Sequence, residues 1–189
     1  MLKKLVGKTR CNTVKYIFYS LCIIYISGLI AGSVFALKNS RNIAFIEKVT
    51  FTENFNESDN LADLSRYTMF LCRDIACILS IILLKYSGIM KGICICVPFF
   101  QAVQNSSIFI TDYINNKSLF NLITSYSVRN TASAFITLMF CAITIKDIFN
   151  NREDSTADLK YTIIYVAGIM SVYIIDYTIK TLFNQLYLH

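Results

Sequence analysis

Apolar and polar positions alternate along this chain in blocks of membrane length. Apolar runs cover residues 16–37, 67–84, 92–113, 131–145 and 161–182. A helix needs about 20 such residues to cross the hydrocarbon of a bilayer. The pattern predicts an all-α, polytopic membrane helical bundle of about five transmembrane helices, forming a single domain over residues 1–189. The fourth run, at 15 residues, reaches across only if it borrows from its flanks. Two longer polar stretches, 38–66 and 114–130, lie between the runs. The first contains Ile43, Phe45, Ile46, Val49, Phe51 and Phe55, so a surface-lying amphipathic helix and a solvated linker both fit it. The second keeps Leu119, Phe120, Leu122, Ile123 and Tyr126 at helical spacing, which suits a segment that re-enters the membrane or lies along its outer face.

The first run follows a basic start, Met1 to Lys15. That order resembles a secretory signal with a cleavage site near Val34-Phe35-Ala36, but 22 apolar residues suit a retained span better than a signal core. Orientation follows from basic residues in loops. Ten lie in the N-terminal tail and in the stretches around Lys85–Lys91 and Lys146–Lys160, against six in the two longer stretches. The N-terminus is therefore expected inside and the C-terminus outside.

Within the spans, polar residues carry the most information. Gln101, Gln104 and Asn105 recur at three- and four-residue spacing in the third run, so they share one helix face and need partners that lipid does not offer. Bundle glue and a substrate site both fit them, with glue favoured because the third run has no ionisable residue before Asp112. The only proline, Pro98, is expected to remove one backbone bond and bend this helix, which is placed at the centre of the bundle. Arg73 and Asp74 interrupt the second run one turn from its outer end. Adjacent residues do not face each other on a helix, so snorkelling to the interface is expected; the alternative turns one of them inward to pair with Asp112, Asp176 or Lys180. Asp176 and Lys180, at i, i+4, suit a local pair. Gly28 and Gly32 form a Gly-x-x-x-Gly pair that admits a close helix neighbour, and Gly88 and Gly92 permit a tight turn and a close crossing.

Composition narrows the function. The chain is 55% hydrophobic with a formal net charge of +6. Its basic residues sit at the ends of apolar runs, not in an aromatic-interleaved patch, so no nucleic-acid partner is expected. The seven cysteines read as small hydrophobes. Cys94-x-Cys96 lacks a second cysteine pair, and the only histidine is the last residue, so no metal or other cofactor is expected. No phosphate-binding glycine loop, zinc-protease motif or catalytic triad order occurs. The expectation is a non-enzyme. A bias toward Ile, Asn, Tyr and Lys suits a low-GC bacterial coding sequence and a multi-pass location in the bacterial cytoplasmic membrane.

The order of features resembles the stage II sporulation protein M family: a basic tail, a first span with Gly28-Leu-Ile-Ala-Gly32, a long outer segment, a second span ending in Lys85-Tyr-Ser-Gly88, a glycine-started third span and two further helices. That resemblance implies a membrane scaffold for engulfment during sporulation, holding cell-wall hydrolases at the septal membrane. Beside the bilayer, its implied partners are extracytoplasmic or membrane proteins, and homo- and hetero-oligomers both fit. Two other readings stand: a small transporter or permease component with a polar path through the third span, and a bacteriocin-immunity or export accessory protein.

Overall fold

Four of the apolar runs become α-helices longer than themselves, and the third divides into a 3₁₀ turn and an α-helix. The structure, a computed structural model, describes residues 2–40, 60–87, 91–114, 119–150 and 155–187. It contains α1 (Leu2–Lys38), α2 (Asn60–Tyr86), a 3₁₀ turn (Lys91–Ile95) running into α3 (Cys96–Ile114), α4 (Leu119–Phe149) and α5 (Ser155–Tyr187). Among the described residues, five stretches are long and apolar enough to cross a membrane: Thr13–Lys38, Tyr67–Tyr86, Gly92–Ile114, Arg129–Phe149 and Ser155–Ile179. The protein is a multi-pass helical bundle, with no strand among the described residues. Positions 41–59, within the first long polar stretch, and Gly88 lie outside the described residues.

The second polar stretch is not a separate element. From Leu119 onward it is the beginning of α4, continuous through Phe149. No proline or glycine occurs between Leu119 and Phe149, so nothing local ends the helix. At 31 residues it extends about 46 Å, well beyond the hydrocarbon thickness.

This helix, not α3, holds the centre: α4 packs against each of the other four helices. Its inner surface mixes large residues, Leu138, Phe140 and Ile145, with many small ones. Ser133, Ala134, Thr137, Cys141, Ala142 and Thr144 are buried, and small side chains let neighbouring backbones come close. Thr137 satisfies its hydroxyl by donating back to the Ser133 carbonyl at 3.0 Å, so it is buried without needing a partner from another helix.

α1 and α3 meet through glycine. A Cβ added at Gly28 would lie 2.6 Å from the Phe99 carbonyl oxygen, and one at Gly32 would lie 2.8 Å from the Val103 Cα. The approach lets the Ser107 hydroxyl donate across to the Gly32 carbonyl at 3.1 Å. On the opposite side of α1, Tyr16, Tyr19, Ile23, Ile26 and Ile30 are exposed, a stripe suited to lipid. Gly92 differs from the expectation. It is exposed, with nothing within 4 Å of an added Cβ, and so makes no close crossing.

Pro98 lies in the first turn of the α-helical part of the third span, not in a helix interior. It is the third residue of α3, directly after the 3₁₀ turn, and its ring leaves one backbone N–H missing there. The carbonyl its missing N–H leaves free, that of Cys94, instead accepts the Cys141 thiol at 3.4 Å. Proline therefore marks the change from 3₁₀ to α geometry. Pro98→Ala is expected to shift the unfolding free energy by less than about 1 kcal/mol; a gain of about 3 kcal/mol in denaturant titration would mark Pro98 as a helix-interior proline that costs a backbone bond.

Candidate functional site

The seam between α2 and α5 carries a ladder of buried polar ties. Tyr67 donates to Asp176 at 2.8 Å, Tyr173 donates to Asp74 at 2.8 Å, and Lys85 reaches Asp158 at 2.6 and 2.5 Å. The numbers fall on one helix as they rise on the other, so the two helices run antiparallel. Tyr67 and Lys85 are about 27 Å apart along α2, close to the hydrocarbon thickness. The outer ties therefore sit at the two membrane boundaries, and the Asp74 tie lies between them.

At one boundary, Lys85 and Asp158 are both buried, and the Tyr86 hydroxyl also donates to Asp158 at 2.5 Å. At the other, the Arg129 guanidinium lies 4.0 Å from Asp176 and stacks over the rings of Phe70, Tyr67 and Tyr173 at 4.8, 5.0 and 5.3 Å. Aromatic faces hold a cation where water does not reach.

The deepest group is Asp74. It is fully buried, about two turns or 10 Å inside Tyr67. One carboxylate oxygen accepts from Arg73 Nε at 3.2 Å, Arg73 Nη2 at 3.0 Å and Gln101 Nε2 at 3.2 Å, and the other accepts from Tyr173. These four hydrogen bonds offset a desolvation penalty that would expel a lone carboxylate from this depth. Further along the same face of α3, Asn105 donates to the Tyr25 hydroxyl of α1 at 3.1 Å. Four helices thus contribute to one polar cluster.

Satisfaction is incomplete. Arg73 Nη1, Gln101 Oε1 and Asn105 Oδ1 are buried without a hydrogen-bond partner. A buried polar atom left so costs about 1–3 kcal/mol, and the three belong to neighbouring members of one cluster.

Several expectations change here. Arg73 and Asp74 do pair, because the long arginine side chain folds back onto its neighbour, a freedom that Cβ positions alone do not register. Arg73 does not snorkel; its guanidinium also lies 5.2 Å from the Phe70 ring centre. Gln101 and Asn105 share the buried face, whereas Gln104 is only half-buried. Asp112 is buried near the end of α3. Asp176 turns to Tyr67 and Arg129 of other helices, and the Lys180 side chain lies outside the described residues. Of the cysteines, Cys94 and Cys141 are buried, while Cys72 and Cys96 are exposed on the outside of the bundle.

The chain matches no family model, no curated protein and no solved structure.

Tyr25, Tyr67, Lys85, Arg129, Asp158 and Tyr173 belong to these clusters, but the linear pattern does not single them out as site residues. Tyr173 had a usable signal, since it precedes Asp176 by three residues and so shares its face. Arg129, Lys85 and Asp158 sat in stretches counted as loops, and only the helix extensions bring them inside. The arrangement as a whole is one of directed donors and acceptors in a water-poor interior, which suits recognition of a polar solute or rigid locking of the helices.

Proposed function

We propose that the protein is a small membrane transport component whose solute site is built on Asp74, Gln101 and Asn105, oriented with its N-terminus in the cytoplasm. The observation that carries this reading is the placement of Asp74, fully buried well inside the second span and facing Gln101 of the third. Ionisable residues at such depth are expensive and mark solute or ion paths in membrane proteins. Glue is favoured by the lack of an ionisable residue before Asp112 in the third run itself, but the second span supplies one, setting Asp74 against Gln101. Gln101→Leu is expected to lower solute uptake at least tenfold in vesicles screened against amino acids, sugars, nucleosides and monovalent cations, with the unfolding midpoint changed by only a few degrees. Unchanged uptake of every solute that the wild type accumulates above protein-free vesicles, or no such solute, would reject the reading.

A scaffold of the kind implied by the resemblance to the stage II sporulation protein M family is the second reading. It is favoured by Asp74, Asp158 and Asp176 each being held by side chains of other helices, which locks the bundle. On that reading Gln101→Leu lowers stability or retention of an envelope partner, such as a cell-wall hydrolase, and there is no flux to lose.

A further inference from the structure

The unpartnered atoms around Asp74 differ in kind, and their kinds specify a ligand. Gln101 has one possible orientation, because only its amide nitrogen can meet the carboxylate. Its Oε1 is therefore an acceptor in want of a donor. Asn105 lies one turn along the same face, with its nitrogen on Tyr25, and its Oδ1 also lacks a donor. Arg73 uses Nε and Nη2 on Asp74. Its Nη1 is a cationic donor in want of an acceptor.

Two carbonyl oxygens one turn apart, beside a carboxylate, suit a group that only donates, which is an ammonium. A free guanidinium nitrogen suits a carboxylate. Because Arg73 Nη2 and Gln101 Nε2 share one Asp74 oxygen, the two nitrogens are no more than about 6 Å apart. The unpartnered Nη1 and Oε1 each lie about 2 Å from those nitrogens on the same planar groups, which sets an outer limit of about 11 Å between donor and acceptor. A monovalent cation would leave Nη1 unpaired, and an inorganic anion would leave both carbonyls unpaired.

We propose that the Arg73–Asp74–Gln101–Asn105 cluster binds a small zwitterion of the α-amino acid class, its ammonium on Gln101 Oε1 and Asn105 Oδ1 and its carboxylate on Arg73 Nη1. This rests on the transport reading above and names the solute class for that site. The ligand completes every polar atom that the folded bundle leaves without a partner in the cluster.

The test uses the full-length protein in lipid nanodiscs. The twenty common amino acids are screened by thermal shift, and affinities are then measured for any that bind, for the amine lacking its carboxylate and for the acid lacking its ammonium. At least one amino acid is expected to bind, with both truncated analogues at least tenfold weaker. Gln101→Leu should weaken the amino acid at least tenfold while changing the affinity of the acid analogue less than threefold. Arg73→Lys keeps the charge and serves where other substitutions at that position unfold the protein; it should weaken the amino acid and the acid analogue but not the amine. Binding of no amino acid, or equal binding of either analogue, overturns the assignment. If uptake of another solute still depends on Gln101, the zwitterion falls and the transport reading stands. If no uptake depends on Gln101, both fall.

Discussion

Asp158→Ala is expected to destabilise the bundle by about 3–5 kcal/mol, the range for breaking a buried ion pair from one side. Lys85 is 3% exposed, and the Asp158 carboxylate meets both its ammonium and the Tyr86 hydroxyl. Without Asp158 the ammonium is left in a water-poor seam without its carboxylate, with the Tyr86 ring centre 5.8 Å away. An exposed surface pair would be worth no more than about 1 kcal/mol, so burial decides the size of the effect. The apparent unfolding midpoint of the purified protein should fall by roughly 10 °C. Removing both charges, as in Lys85→Met with Asp158→Leu, should restore most of the loss, since apolar replacement of a whole buried pair is often neutral. Strictly additive single and double variants would show that the pair is not coupled.

Gly32→Leu is expected to separate α1 from α3. An added Cβ already meets the Val103 carbonyl oxygen, its Cα at 2.8 Å and the Ser106 hydroxyl. Two of those contacts are backbone, which cannot rotate away. Overpacking of this kind typically costs about 1–3 kcal/mol and sometimes more. Moving the helices apart also takes the Gly32 carbonyl from Ser107 Oγ, leaving a buried hydroxyl without its acceptor, for a further 1–3 kcal/mol or so. Gly32→Ala should show a smaller loss of the same sign. The control is Gly168→Ala: its nearest neighbour is the Ile136 Cδ1 at 3.7 Å, an ordinary contact, so the change should be neutral or stabilise by up to about 1 kcal/mol. Equal effects at positions 32 and 168, measured by chemical denaturation in detergent, would argue against close packing at Gly32.

These two sites were legible in the sequence to different degrees. Gly28 and Gly32 are visible because their spacing by itself puts them on one face, and only their neighbour was unknown. Lys85 and Asp158 look like loop charges, because an apolar-run criterion stops at the first ion it meets. The same criterion ended the fourth span too early and left Arg129 outside. It also made Pro98 look like an interior kink, since the apolar run begins before the α-helix does. The amide face of α3 was legible as a need for partners, while the identity of those partners depended on a helix pairing 27 residues away in sequence, Asp74 with Gln101.

The linear order of apolar and polar residues determined that the described residues hold five helices long and apolar enough to cross a membrane, because the bilayer demands length, apolarity and internally satisfied backbone bonds, and all three are local properties. Tertiary structure alone decided which helix lies at the centre and where the charges go. Once an arginine or aspartate enters the membrane its energy depends on the partner it finds, and Tyr173, Gln101 and the Asp176–Arg129 pair come together only when α2, α3, α4 and α5 pack.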